Sequence, residues 1–241
     1  MKEKLYSIPV NDAFHTECEC PICEMEKTLE LNSVEYIMGA SYMEDDIRME
    51  TDRMGFCVNH MHMVWEQNNK LGLALVLKSH MEKTTKDIKK LLESSQKKAG
   101  FSRKPKENPV TSYIDKLESS CFVCERTNRI FERYISTIYH LWKEDKEFKK
   151  SYNSSKGFCT KHYGELIKHA PSNLNGVLLE EFIKDTHKLY LENMERIISD
   201  VEWFVDKFDY RYKDEPWKNS KDALPRALTK VNQIISLGED N

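Results

Sequence analysis

Glycine and proline are scarce in this chain, 8 and 7 among 241 residues. Average usage would give roughly 12% for the two together, about twice what is present. That scarcity disfavours turn-rich β architectures and favours helix. No apolar run approaches the roughly 20 residues that span a bilayer, so no membrane segment is expected. The N-terminus, Met1-Lys2-Glu3-Lys4-Leu5-Tyr6-Ser7-Ile8-Pro9, lacks the apolar core of a signal peptide, which points to the cytoplasm. An excess of basic charge is also missing. The formal net charge is −3, against a general nucleic-acid binder, whose affinity rests on Lys and Arg neutralising phosphates. A local basic patch is still compatible with that charge. No nucleophile motif, phosphate loop or dinucleotide fingerprint is visible.

What is present reads as a globular chain long enough for a real core, with 32% charged and 39% hydrophobic residues. Seven cysteines in a reducing compartment point to metal or redox chemistry rather than a disulfide framework. They fall in a repeat. Cys20-Pro21-Ile22-Cys23-Glu24 returns as Cys121-Phe122-Val123-Cys124-Glu125. Gly55-Phe56-Cys57-Val58-Asn59-His60 returns as Gly157-Phe158-Cys159-Thr160-Lys161-His162. The spacing agrees: Cys57 follows Cys23 by 34 residues, and Cys159 follows Cys124 by 35. Shared residue types, order and spacing indicate a duplication.

The segments between the motifs read as helix. Met25, Leu29, Tyr36 and Ile37 recur mostly at helical spacing, and Ile130, Phe131, Tyr134, Ile135, Ile138, Tyr139 and Trp142 form a clear apolar stripe. Ser41-Tyr42-Met43-Glu44 resembles a capping box opening a second short helix. Leu71 to Leu92 and Val177 to Phe208 read as the long helices of the two halves. The fold expected is therefore all-α: a first metal-binding repeat over 1–95, a polar, Pro-punctuated linker over 96–110 and a second repeat over 111–208. A C-terminal segment over 209–241 follows, with a short helix from about Asp222 and Pro225 in its first turn. The aromatic stretch Asp209 to Trp217 reads as a strap across the bundle or as a lid over a pocket.

A Cys-x-x-Cys turn brings two sulfurs together, and Cys and His three apart on a helix's first turn face the same way. Three thiolates and one imidazole suit tetrahedral zinc with no position left for water. A helix N-terminus favours the thiolate of Cys57 and Cys159. The simplest pairing lies within each half, Cys20, Cys23, Cys57 and His60, then Cys121, Cys124, Cys159 and His162, because a loop of about 35 residues costs little to close. Exchange of ligands between the halves is the alternative. Two zinc ions per chain are expected, with an iron–sulfur cluster as the competing cofactor. Cys18 is a spare thiol, an alternative ligand or a redox-sensitive neighbour.

Tyr42-Met43-Glu44-Asp45-Asp46-Ile47-Arg48-Met49-Glu50, the two Gly-Phe-Cys-x-x-His motifs and Asp222-Ala223-Leu224-Pro225-Arg226-Ala227 resemble an uncharacterised bacterial family, a domain of unknown function. The resemblance covers nearly the whole chain and implies no known activity. Members are sometimes labelled as ABC-transporter substrate-binding proteins, a label that fits poorly with a chain showing no export signal or lipoprotein cysteine.

Three functions follow from these features. One is a zinc-stabilised helical scaffold binding a protein or small-molecule ligand. Another is a metal-containing enzyme built on Tyr42, Glu44, Asp46 and Arg48, where one helix face would converge carboxylates and a guanidinium, with Asp209 to Trp217 closing over it. The third is a thiol-based redox or metal sensor supported by Cys18. Nucleic-acid binding through zinc modules ranks last. His80 and His187 sit on the long helices in places that could face the metals, although a hydrogen-bonded histidine is the commoner fate.

Overall fold

The computed structural model describes residues 2–97 and 108–233. Among them are eleven α-helices and no strand, as the low Gly and Pro content led one to expect. In chain order these are α1 (Lys2–His15), α2 (Pro21–Met38), α3 (Asp45–Met54), α4 (Val58–Glu66), α5 (Lys70–Lys97), α6 (Pro109–Glu118), α7 (Phe122–Glu144), α8 (Lys146–Ser154), α9 (Thr160–Asn173), α10 (Gly176–Asp206) and α11 (Ala223–Asn232). The order long, short, short, long in α2–α5 recurs in α7–α10. No helix among the described residues is long and apolar enough to cross a membrane.

The chain divides into two compact units, one of Met1–Lys27 with Phe131–Asn241 and the other Thr28–Ile130. The boundaries of these units fall inside α2 and α7, and most of the 96–110 linker lies outside the described residues. The reason is helix length. At 1.5 Å per residue, the 18 residues of α2 and 23 of α7 carry the chain about 27 and 35 Å. The helices that follow them are short, the 10 residues of α3 and 9 of α8 spanning about 15 and 14 Å. Each long helix thus begins in one unit and delivers the chain to the other.

In the unit containing both chain ends, the core is aromatic. Tyr139, Trp142, Phe148, Tyr152, Phe158 and Phe182 are almost completely buried. Phe14 of α1 joins them, stacked on Tyr152 at 5.5 Å and edge-on to Phe148 at 4.9 Å. Helix α1 was not legible in the sequence, since Pro9 interrupts it; its burial of Val10, Ala13 and Phe14 outweighs the hydrogen bond that proline forfeits. The core of the other unit is mainly aliphatic, with Val34, Ile37, Ile47, Val64, Leu73 and Val76 buried together.

Local signals account for several helix starts. Asn108 caps α6 by accepting from the Val110 amide at 2.9 Å, with Pro109 in the first turn, so the expected end of the linker is a helix start. Asp145 caps α8 by accepting from Glu147 and Phe148. The capping box expected at Ser41 is not formed. Ser41–Met43 is a short 3-10 turn, and the extended Glu44 precedes α3. Asp45 and Asp46 in the first turn complement the positive end of the helix dipole and start it at that point.

The segment after α10 folds back onto that helix. Trp203 donates to the Pro216 carbonyl at 3.0 Å and packs against Tyr212, while Trp217 packs on Phe204. The Lys207 ammonium ties down the carbonyls of Tyr212 and Lys213. It is a strap on the end of its own helix. Helix α11, with Pro225 in its first turn as expected, is held to α10 by Arg226, paired with Asp200 at 2.8 Å.

Candidate metal centres

The eight expected ligand residues converge in two groups, each within one compact unit. One is Cys20, Cys23, Cys159 and His162; the other is Cys57, His60, Cys121 and Cys124. Within each group the ligand atoms all lie within 4.8 Å of one another. The pairing within halves expected on loop-closure grounds is therefore corrected. Each group takes its Cys-x-x-Cys from one half and its Cys-x-x-His from the other. The 34 and 35 intervening residues are not flexible loops whose ends meet freely. They are rigid helices that carry Cys57 and Cys159 away from the cysteines preceding them.

The two ligand turns are built alike. Gly55 and Gly157 have φ of 61° and 76°, a region that favours glycine. A Cβ at Gly55 would also meet the His80 ring at 3.0 Å, and one at Gly157 the Leu189 carbonyl at 3.1 Å. This turn delivers Cys57 and Cys159 as the residues capping α4 and α9, one turn below His60 and His162. Cys20 and Cys121 immediately precede α2 and the first turn of α7.

Distances within the groups suit a single ion. In the first, His162 Nδ1 lies 3.5, 3.3 and 3.3 Å from the sulfurs of Cys20, Cys23 and Cys159, and Cys23 Sγ is 3.6 Å from Cys159 Sγ. In the second, His60 Nδ1 lies 3.2, 3.4 and 3.3 Å from Cys57, Cys121 and Cys124, and Cys57 Sγ is 3.9 Å from Cys124 Sγ. A tetrahedral ion with metal–sulfur bonds of about 2.3 Å and metal–nitrogen bonds of about 2.0–2.1 Å requires edges of about 3.8 and 3.6 Å. The sulfurs are too far apart for disulfides, whose bond is about 2.05 Å, and all seven cysteines are free.

Carboxylates stand behind both imidazoles. His60 Nε2 is hydrogen-bonded to Glu30 Oε1 at 3.2 Å. His162 Nε2 lies 3.1 Å from Glu26 Oε2, at an angle too oblique for a full hydrogen bond. Glu26 and Glu30 both belong to α2 and went unnoticed in the sequence, where they look like ordinary helix charges. A carboxylate on the far nitrogen holds the imidazole tautomer that offers Nδ1 to a metal.

The groups attract positive charge on their own. Burial works against protonating His60, but the thiolate of Cys121 and the Glu30 carboxylate outweigh it, raising its pKa to about 10. His162 is raised to about 11, with Cys159, Cys20 and Glu26 overcoming burial. Burial pushes the Cys121 thiol up, but hydrogen bonds from His60 and from the Cys124 and Cys57 backbone bring it down to about 6. Hydrogen bonds from Cys20 and Cys23 hold Cys159 well below the usual thiol range. Burial and the neighbouring sulfurs push the thiols of Cys23 and Cys124 the other way, upward.

The remaining candidates do not join these groups. Glu44 and Asp46 are exposed, Arg48 is half-buried, and the three form no ion pair with one another. Asp46 accepts from the Ile47 amide, Arg48 reaches the Leu75 carbonyl at 3.5 Å, and Tyr42 packs against the core. His80 donates from Nδ1 to the Asp52 carbonyl, and His187 Nδ1 is bonded to the Tyr163 hydroxyl at 2.7 Å. Both are held by hydrogen bonds outside the two Cys/His groups. Cys18 lies outside either group, its thiol pushed up to about 12 by burial.

Residues 1–237 match the model of DUF6062, described as a family of unknown function. That description lends no support to the transporter label. No curated protein and no solved structure matches the chain.

Proposed function

We propose that this chain, which belongs to the DUF6062 family, is a helical scaffold stabilised by two structural zinc ions, and that its role is to bind a protein or small-molecule partner. The observation that carries the metal reading is the convergence of eight candidate ligands, drawn from four separated motifs, into two sets whose ligand atoms all lie within 4.8 Å of one another. Three thiolates and an imidazole fill all four positions of such an ion, so no coordination site is left for water or substrate, which is the mark of a structural rather than a catalytic centre. Ligand atoms this close suit one ion, whereas an iron–sulfur cluster spreads its cysteines around several metal and sulfide atoms. Mixed thiolate and imidazole ligation favours zinc among single ions.

A reducing compartment such as the cytoplasm would keep the seven thiols available to the metal. The exposed acidic face of α3 supports a scaffold over an enzyme built on Glu44, Asp46 and Arg48. The test is elemental analysis and absorption of the purified protein. Two zinc ions per chain and no visible absorption are expected. A brown protein, or one holding iron and sulfide, would overturn the assignment.

A further inference from the structure

The two centres share ligands and shape but differ in their surroundings. Cys20, Cys23, Cys159 and His162 are 0–2% exposed. Cys57 and Cys124 are half-buried. The first group also has a neighbour that the second lacks. Lys230, on α11, is 1% exposed, and no other lysine or arginine among the described residues is fully buried.

Lys230 spends its donors on the two loops that carry the ligands. Its ammonium donates to the carbonyl of Glu19, next to Cys20, at 2.7 Å, and to that of Lys156, three residues before Cys159. The Glu19 carboxylate lies 3.4 Å from it and is also paired with Arg196 at 2.5 Å. The Lys230 carbonyl in turn accepts from the hydroxyl of Thr160, the residue after Cys159. A side chain with three donors and no acceptor is well matched to these three oxygens. The charge is matched too. Three thiolates around a divalent ion leave one negative charge, and Lys230 and Arg196 against Glu19 leave one positive charge.

We propose that Lys230 is the counter-ion and loop clamp of the Cys20–Cys23–Cys159–His162 centre, and that α11 caps this centre so that its metal leaves slowly, while the metal at Cys57–His60–Cys121–Cys124 exchanges. The proposal rests on the metal reading above and adds that the two centres have different roles, one permanent and one exchangeable. It also gives α11, which has no counterpart among the described residues of the first half, a task. Lys230 is a positioning residue: it acts through the loops and the charge of the site.

The test mixes the zinc-loaded full chain with an excess of a coloured chelator, 4-(2-pyridylazo)resorcinol. Two phases of one equivalent each are expected. K230M should speed the slow phase at least tenfold and leave the fast phase unchanged, and K230R should retain most of the slow behaviour. Release of both ions in a single phase, a slow phase indifferent to K230M, or both phases accelerating together would overturn the proposal. A parent protein that takes up no zinc would instead overturn the metal reading itself. A second measurement needs no variant. During release, alkylation with iodoacetamide read by peptide mass spectrometry should mark Cys57, Cys121 and Cys124 before Cys20, Cys23 and Cys159; the reverse order would sink the assignment.

Discussion

Cys23 Sγ lies 3.6 Å from Cys159 Sγ, although 136 residues separate them. Each belongs to a different half of the repeat, so one Cys/His group draws its residues from both halves. Paired substitutions can read this exchange directly. Cys23→Ser with Cys159→Ser should remove one metal, because both ligands serve one ion. Cys23→Ser with Cys57→Ser should remove two. Native mass spectrometry counts the ions, and the opposite pattern would restore pairing within halves.

The centres should also differ in what their loss costs. Structural zinc binding is folding free energy, about 10–16 kcal/mol in small zinc-finger peptides. This chain has aromatic and aliphatic cores besides, so losing one ion should cost several kcal/mol rather than the whole fold. Cys159→Ser, at a position that is 0% exposed, should lower the melting temperature more than Cys57→Ser at its half-buried site. Equal melting of both variants and the parent would rule out a structural role.

Glu30 should tune metal affinity through His60. Replacing such a carboxylate partner typically weakens a site 10–100-fold. Glu30→Gln should therefore loosen zinc at Cys57, His60, Cys121 and Cys124 by that factor, measured by chelator competition. The other centre should hold its metal as before. Because Glu30 is partly exposed, the metal-free protein should melt nearly unchanged, which separates this role from simple packing.

The acidic helix should be mechanically quiet. Arg48 is half-buried and makes one long contact to the Leu75 carbonyl. Exposed ion pairs are worth about 0–1 kcal/mol, and no carboxylate depends on this guanidinium for charge balance. Arg48→Ala should cost less than about 1 kcal/mol in denaturant unfolding. A loss of about 3–5 kcal/mol, the cost of stranding a buried charge, would mean that α3 faces something other than solvent.

Tyr152 tests the aromatic core. Its side chain is buried completely and its hydroxyl lies 2.8 Å from that of Thr186, which also donates to the Phe182 carbonyl. Tyr152→Phe should cost about 0.5–1.5 kcal/mol, the worth of one hydrogen bond. Phe182→Ala, which empties a site touching Tyr139, Trp142 and Tyr152, should cost about 3–5 kcal/mol. Calorimetry on the two variants gives both numbers.

The sequence by itself determined the helical class, the six cysteines and two histidines that gather in two groups, and the helix-capping places of Cys57 and Cys159. These depend on local chemistry: few Gly and Pro, residue types that bind soft metals, and the three-residue spacing of one helical turn. It also marked Pro225 correctly, because a proline in the first helical turn forfeits no helical hydrogen bond. Tertiary structure alone decided which of these residues share a group. Loop-closure entropy treats the chain between Cys23 and Cys57 as flexible, whereas α2 is a rod of 18 residues that carries Cys57 away from Cys23. The same holds for Glu26, Glu30 and Lys230. Nothing in their sequence neighbourhood distinguishes them from surface charges, and only the packing of helices distant in the chain brings them to the imidazoles and ligand loops they support.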